Sequence, residues 1–140
     1  MTELRLRWFL FFTVRPGSSM LDFVILYHEL PVGLPRVSHW DLMLRDGDRL
    51  LTWALDADPL TESQAMGQRL PDHRLEYLQF EGPISGNRGS VTRIASGTFR
   101  WLNARSASAW QVELSPDSME SDEKILIGCH DDKAFEISRL

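Results

Sequence analysis

Residues 37–55, VSHWDLMLRDGDRLLTWAL, decide the fold of this chain, because they consist of two extended segments joined by a tight turn. Both segments, 37–45 and 50–55, are rich in large apolar side chains of the kind that favours strands. Between them stands Asp46-Gly47-Asp48, and an Asp-Gly pair between two such runs is a strong signal for a β-hairpin. The stretch therefore predicts an antiparallel pair of strands.

The rest of the chain continues as short extended segments separated by turn residues. We expect further strands over residues 21–28, 91–94, 98–102, 110–114, 124–129 and 134–138, with a turn at Ser96-Gly97. Residues 58–68 carry a weak helix signature, and residues 81–90, which include three glycines, predict a loop. Many short strands with little helix favour a mainly β fold, a compact antiparallel β-barrel, because closure removes exposed strand edges.

The length of 140 residues favours a single domain, which we assign to residues 20–140. Residues 1–19 are treated as an N-terminal extension, either an additional edge strand or the product of a start codon placed too early. The apolar run 8–14 is too short to span a bilayer, and Arg15-Pro16-Gly17 follows it in place of a small-residue cleavage site. We therefore expect a cytoplasmic protein that has no contact with a membrane.

Composition limits the classes of partner and site. A single cysteine excludes an internal disulfide framework and a multi-cysteine zinc site. The net charge of −5 argues against a non-specific nucleic-acid coat protein, which needs an overall positive field. Of the 15 basic residues 13 are arginines, whose planar fork suits phosphate. Because these arginines are scattered, a bias of the coding DNA is the preferred explanation for their number.

The segment 38–45, SHWDLMLR, also carries the first candidate site. Alternate side chains of a strand share a face. One face then holds an apolar set that is expected to pack in the core: Trp40, Leu42 and Leu44. The other face holds a mainly polar set: His39, Asp41, Met43 and Arg45.

His39 and Asp41 are about 7 Å apart at their Cα atoms in a strand, so their side chains can converge on one ion. His28 ends the preceding strand and lies beside His39 if the two strands pair. Two imidazoles and one carboxylate suit Mn²⁺, Fe²⁺ or Zn²⁺ and leave coordination positions open for water and substrate oxygens. The alternative is a set of ordinary polar groups at strand ends, which spacing alone favours because His-x-Asp is common by chance.

His73 and Tyr77 form a second candidate pair. A separation of four places both side chains on one side of either a helix or a strand. His73 can act as a general acid or contact phosphate, and Tyr77 can donate a hydrogen bond. The alternative, favoured by pattern alone, is a solvated histidine beside a tyrosine packed on the core. The sequence contains no phosphate-binding loop, dinucleotide-binding fingerprint or Gly-x-Ser-x-Gly motif.

Several stretches, in this order, resemble the 3′-phosphoesterase domain of bacterial DNA ligase D, which also occurs as a stand-alone protein in bacteria and archaea. They are FVILYH (23–28), HWDLML (39–44), LTWA (51–54), DHRLEY (72–77), FEGPI (80–84) and GNRGSV (86–91). The likeness extends from Met20 to about Trp101, and matches that follow one another in the family's order are far more specific than any one of them.

The resemblance implies a compact β-barrel that binds a divalent metal, with manganese as the expected ion and zinc or another divalent ion as the alternative. By position it implies His28, His39 and Asp41 as metal ligands, and His73 and Tyr77 as the phosphate-side catalytic pair. The implied reaction is removal of a 3′-phosphate or a terminal 3′-ribonucleoside during DNA end repair. The implied partners are DNA or RNA 3′ ends and a DNA ligase or repair polymerase, and the sequence gives no signal for an oligomeric state.

Departures from the family pattern bear on this activity. Met43 stands where the family has an arginine, and Arg45, on the same strand face, is the residue expected to act in catalysis in its place. Pro71 replaces an acidic residue, the segment 29–38 is longer than in the family, and the family's charged N-terminal arm has no counterpart before Met20. Met43 favours a second hypothesis, a catalytically impaired module that binds nucleic-acid ends or a repair partner. A metal-free barrel that holds a small ligand is the third hypothesis.

Overall fold

A computed structural model describes residues 21–103, 109–117, 123–129 and 134–139, so the predicted N-terminal extension, residues 1–19, lies outside the described residues. These ranges contain nine strands: β1 (Leu21–Glu29), β2 (His39–Asp46), β3 (Arg49–Leu55), β4 (Gln64–Arg74), β5 (Gly82–Pro83), β6 (Ser90–Trp101), β7 (Ala109–Pro116), β8 (Glu123–Cys129) and β9 (Ala134–Arg139). One 3₁₀ turn, Leu75–Leu78, follows β4. No helix in the described part of the chain has the length and apolar character needed to cross a membrane.

Eight of these strands close into an antiparallel barrel. Neighbours follow the order β1-β2-β3-β4-β9-β8-β7-β6, and β6 pairs back with β1 to complete the ring. The closing pair runs from Leu21↔Phe99 to Glu29↔Ser90, with a bulge at Ile94. The short β5 pairs with the beginning of β6 outside the ring. The predicted fold, a mainly β antiparallel barrel with little helix, is confirmed.

Three local predictions are wrong. Residues 58–68 form no helix, because a turn at 59–61 leads into β4, whose hydrogen bonds with β3 and β9 outweigh the weak helix signature. Residues 91–94 and 98–102 belong to one strand, β6, since Ser96 and Gly97 pair with β1 in place of turning. The predicted loop 81–90 includes the short strand β5, and the loop proper is limited to the residues between β5 and β6.

The barrel interior holds the main apolar core. All eight strands of the ring contribute to it, and Trp53 and Phe99 are among its fully buried side chains. Leu42 and Leu44 of β2 belong to this core and Trp40 packs against it. The apolar face predicted from the alternation of β2 is therefore the inner face of the barrel wall.

A second apolar cluster lies on the outer face of the same wall. It consists of Val24, Leu26, Met43, Leu50 and Val91. The segment 75–84, which contains the 3₁₀ turn and β5, packs over this cluster through side chains that include Leu78 and Phe80. Because alternation places His28 and Asp41 on the same side as these apolar residues, the candidate site is on the outside of the barrel, under this covering segment.

Candidate active site

Three candidate metal ligands meet on this outer face, where the β1–β2 pair ends. His28 of β1 is paired directly with His39 of β2, and Asp41 follows two residues further along β2. The Asp41 carboxylate approaches both rings, with Oδ2 3.6 Å from His28 Nδ1 and Oδ1 3.0 Å from His39 Nε2. One ligand atom from each residue lies within 4.8 Å of the other two. The structure therefore brings these three side chains together.

Backbone carbonyl groups fix which nitrogen of each ring faces the group. His28 Nε2–H donates to the carbonyl oxygen of Arg88 at 2.7 Å, and His39 Nδ1–H donates to that of Val37 at 2.8 Å. Since a carbonyl oxygen only accepts, these nitrogens carry the hydrogens, and the other nitrogen of each ring presents a lone pair to the group. Histidines that bind metals are commonly oriented by this kind of hydrogen bond from their second nitrogen.

The surroundings of the Asp41 carboxylate indicate whether a cation fits between the three side chains. Asp41 is 2% exposed and His39 is 6% exposed, so water does not solvate them freely. Asp41 Oδ1 accepts no hydrogen bond within the described ranges, although His39 Nε2 lies 3.0 Å away. A buried carboxylate oxygen that faces a nitrogen lone pair is unfavourable unless a proton or a metal ion lies between them. Two imidazole nitrogens and a carboxylate are donors suited to Mn²⁺, Fe²⁺ or Zn²⁺, so the residues fit a divalent metal.

The same contacts shift the pKa values of His28 and Asp41. Burial acts to raise the pKa of Asp41, but the His28 and His39 rings beside the carboxylate outweigh burial, and the pKa lies below its usual value of 3.8. The Asp41 carboxylate, 3.6 Å from His28 Nδ1, outweighs burial at His28 and raises the pKa of that ring above 6.5. In the metal-free chain the Asp41 carboxylate therefore favours protonation of His28 at Nδ1.

A tight loop brings the Arg88 carbonyl to His28. Gly86, Asn87 and Gly89 have positive φ angles of 77°, 58° and 81°, which lets the chain turn sharply before β6. At Gly89 the loop is pressed against the end of β1, and a Cβ at that position would collide with the carbonyl oxygen of Glu29. The orientation of the His28 ring thus depends on glycine at position 89.

A cleft opens beside the three candidate ligands, between the loop 30–38, the end of β4 and the loop 84–89. The part next to His28 and Asp41 has a volume of about 300 Å³. His73 and Tyr77 line it together, with ring centroids 5.6 Å apart in an edge-to-face contact. The candidate ligands and the second candidate pair therefore border one space that a substrate can enter.

His73 and Tyr77 do not share a helix or a strand, contrary to the spacing argument. His73 lies near the end of β4 and Tyr77 in the 3₁₀ turn, and the chain brings them together as it turns over the outer apolar cluster. His73 Nδ1–H donates to the carbonyl oxygen of Pro71 at 2.9 Å, which leaves Nε2 for a ligand.

Three arginines to which the sequence assigned no role also line the cleft: Arg36, Arg74 and Arg88. Arg36 Nη2 lies 3.4 Å from His39 Nε2, and Arg88 donates through Nε to the carbonyl oxygen of Ser85 at 2.7 Å. These arginines come from two loops and the end of β4. Because they are far apart in the sequence, the sequence pattern alone does not group them. Two of them could have been found from the family resemblance, because Arg74 and Arg88 lie inside the matching stretches DHRLEY and GNRGSV. The lining of this part of the cleft thus has three arginines against two aspartates, Asp41 and Asp72, in a chain of net charge −5.

Residues 34–130, more than two-thirds of the chain, match the model of the DNA ligase D 3′-phosphoesterase domain. The chain belongs to this family. Membership supports a 3′-phosphoesterase-like, hydrolytic function in DNA repair. The match includes His39 and Asp41 but begins after His28, which joins them through the pairing of β1 with β2. No curated protein matches the chain.

Two positions, 43 and 45, concern the arginine that the sequence resemblance implies for the DNA ligase D 3′-phosphoesterase family and that this chain lacks at position 43. Met43 is buried in the outer apolar cluster and offers no charge. Arg45, expected to act in its place, is four residues beyond Asp41, about 13 Å along the strand. Its guanidinium lies 3.5 Å from the Asp22 carboxylate and donates to the Gly47 carbonyl oxygen at 3.0 Å. The structure does not bring Arg45 to the cleft.

Proposed function

We propose that this chain is a metal-dependent phosphoesterase that trims 3′ ends of DNA, chiefly by removing a 3′-phosphate. The observation that carries the proposal is the buried Asp41 Oδ1, which has no hydrogen bond and lies 3.0 Å from His39 Nε2 at the edge of an arginine-lined cleft. The family supplies the substrate class, because its reaction is hydrolysis of phosphoesters at 3′ ends. The fold supplies an open surface at which such an end can bind.

Manganese is the metal expected in this site, with zinc or another divalent ion as the alternative. His28 Nδ1, His39 Nε2 and the Asp41 carboxylate would hold it, and this donor set leaves positions for substrate. When bound, the ion supplies a Lewis acid that withdraws charge from phosphate oxygens. The remaining functions belong to side chains of the cleft.

Arg36 and Arg88 are the proposed phosphate-binding residues. Both border the cleft, and a guanidinium fork suits phosphate oxygens. Arg36 contacts His39 Nε2 and Arg88 contacts the backbone carbonyl oxygen of Ser85, so phosphate oxygens can replace a ring nitrogen in one case and a carbonyl oxygen in the other. Their charge takes the place of the arginine that the family has at position 43. Arg45, which pairs with Asp22, has no part in the proposal.

His73 is the proposed general acid. With Nδ1–H held by the Pro71 carbonyl, Nε2 is the nitrogen that can give a proton to the leaving 3′ oxygen. Water adds to phosphorus, the bond from phosphorus to the 3′ oxygen breaks, and the products are a 3′-hydroxyl and inorganic phosphate. Tyr77, in contact with His73, can donate a hydrogen bond to the phosphate during this step.

Removal of a 3′-phosphate is favoured over removal of a 3′-ribonucleoside. Pro71 stands where an acidic family residue is expected, and it offers no side-chain hydrogen bond to a ribose hydroxyl. The product hydroxyl is what a DNA ligase or a repair polymerase uses, so we expect one of these as a partner in the cytoplasm. RNA 3′ ends are the alternative substrate.

Met43 supports a second candidate function, an end-binding module without turnover. Met43 is buried among apolar side chains and offers no charge to a phosphate. If Arg36 and Arg88 bind phosphate without stabilising the transition state, the cleft holds 3′ ends without hydrolysing them.

Phosphate release from a primer–template with a 3′-phosphate tests the proposal. The full chain with Mn²⁺ is expected to release phosphate, and His39→Ala is expected to release none. In a calorimetric titration Asp41→Asn is expected to lose manganese binding, whereas Asp48→Asn, which removes an exposed carboxylate from the β2–β3 turn, retains it. Unchanged manganese affinity of Asp41→Asn would overturn the ligand assignment. Metal binding without phosphate release would favour the end-binding module.

A further inference from the structure

The cleft has an apolar side that the proposed chemistry does not use. Its larger part, about 380 Å³ in volume, extends from His28 and His73 toward the loop 30–38. The apolar lining of this part consists of Leu30, Leu34, Pro35 and Ile84. The volume is within the range of small-molecule sites, roughly 300–1,000 Å³. A ligand with one charged end and one apolar end therefore matches the cleft.

The loop 30–38 supplies residues to both sides of this space. Leu34 and Pro35 lie on the apolar side, and the next residue, Arg36, lies on the charged side. The two ends of the loop are tied together, because Leu30 N–H donates to Ser38 Oγ at 2.8 Å. Because this hydrogen bond already restrains the loop, the loop loses less conformational entropy when a ligand binds.

We infer that the apolar side binds the terminal nucleoside of the 3′ end, with its base against Leu34 and Ile84. This inference rests on the proposed function. In a 3′-phosphate the leaving oxygen belongs to the terminal nucleoside, so that nucleoside must lie beside the phosphate and His73. Apolar surface next to those groups can remove the faces of a base from water. The chain therefore selects a phosphate that is attached to a base-bearing nucleoside over a phosphate on an end that lacks its base.

The mixed character of the lining favours a nucleotide over an apolar peptide. Arg36 and Arg88 line the same space as the apolar residues, and a peptide that fills only the apolar side leaves both guanidinium groups without an anion. A phosphorylated nucleoside supplies an anion for the arginines and a flat apolar surface for Leu34 and Ile84.

The loop offers a matched pair of variants for a test. Leu34 is 38% exposed and lines the cleft, whereas Val32, two residues earlier, is fully exposed and lines no part of it. Leu34→Ala and Val32→Ala each shorten an apolar side chain on the same surface loop. Because neither residue belongs to the barrel core, both variants are expected to fold.

Fluorescence anisotropy with two oligonucleotides is the measurement. One ends in a thymidine and the other in an abasic sugar, and each carries a 3′-methylenephosphonate, a copy of the 3′-phosphate that cannot be hydrolysed. With Mn²⁺ present, the wild-type chain is expected to bind the base-bearing end roughly tenfold more tightly. Leu34→Ala is expected to lose most of this preference, and Val32→Ala is expected to keep it.

Each other outcome is decisive. Equal affinity of the wild-type chain for the two ends, or equal effects of the two variants, would overturn the inference; phosphate release from a 3′-phosphate would then still support the proposed function. A retained base preference without phosphate release would overturn the hydrolase and keep the nucleoside site. If Leu34→Ala instead dissociates a dimer in sedimentation and leaves the base preference unchanged, the apolar side binds a second copy of the chain and the inference is wrong.

Discussion

At the scale of single residues, the pair His28 and Asp41 links protonation to the stability of the metal-free chain. The Asp41 carboxylate raises the pKa of His28 above 6.5, so protonation of this ring stabilises the folded state. That contribution is complete below about pH 6.5 and is lost as the pH rises through the folded-state pKa of His28. We expect the free energy of unfolding of the metal-free chain, measured in urea, to fall as the pH rises above about 6.5.

Variants of the candidate ligands His28 and Asp41 serve as controls for this pH dependence. His28→Gln and Asp41→Asn each remove one partner, and both are expected to flatten the decrease in the free energy of unfolding. Manganese, which replaces the proton, is expected to restore stability to the wild-type chain at about pH 8. If both variants keep the wild-type profile, another group causes the pH dependence.

Residue positions could be predicted from the sequence where regular strands set them. The period of two along β2, together with a direct pairing of β1 and β2, was sufficient to place His28, His39 and Asp41 in one group. Arg36 and Arg88 could not be placed in this way. They stand in loops whose paths depend on contacts between residues distant in sequence, such as Gly89 against Glu29.

At the scale of elements, the loop 86–89 is the part of the fold on which the His28 orientation depends. Gly89→Ala places a methyl group against the Glu29 carbonyl, so the loop must move and withdraw the Arg88 carbonyl from His28 Nε2. Loss of a hydrogen bond that orients a ligand typically costs roughly 10–100-fold in metal affinity. We expect Gly89→Ala to weaken manganese binding by this factor in a calorimetric titration.

Gly86→Ala is the matched control for the loop. Gly86 has a similar positive φ of 77°, but a Cβ there would meet only Arg88 Nε, at an ordinary 3.6 Å. Both variants therefore carry backbone strain, and only Gly89→Ala carries the collision with β1. Equal losses of manganese affinity in the two variants would show that strain, and not the position of the Arg88 carbonyl, is responsible.

Elements were predictable where the pattern of apolar residues was clear. The β2–β3 hairpin was found because Asp-Gly stands between two apolar runs. β4 was missed, since its segment, QAMGQRLPDHR, has few apolar residues and includes a proline, and its extended conformation comes from pairing with β3 and β9. Long-range pairing of this kind has no local signature in the sequence.

At the scale of the whole molecule, the barrel separates the scaffold from the site. The interior core draws on all eight strands of the ring, whereas the candidate ligands and the cleft lie on the outer face of β1 and β2. Substitutions of residues that line the cleft, such as Arg36 and Leu34, therefore remove no contact from the interior core. Loss of function in these variants can be assigned to the site when the thermal unfolding temperature is unchanged.

The charge distribution of the whole chain predicts how the affinity for a 3′-phosphate end depends on salt concentration. A net charge of −5 repels nucleic acid, so we expect the attraction to be local and to involve Arg36 and Arg88, the proposed phosphate-binding residues of the cleft. If each neutralises one phosphate charge, the logarithm of affinity for a single-stranded 3′-phosphate end falls against the logarithm of salt concentration with a slope of about −1.4. Arg36→Gln should reduce the slope by about 0.7. Arg100→Gln changes the net charge equally but removes an arginine paired with Glu113, outside the cleft, and should leave the slope unchanged. Equal slopes in the two variants would mean that net charge, and not the cleft, governs binding.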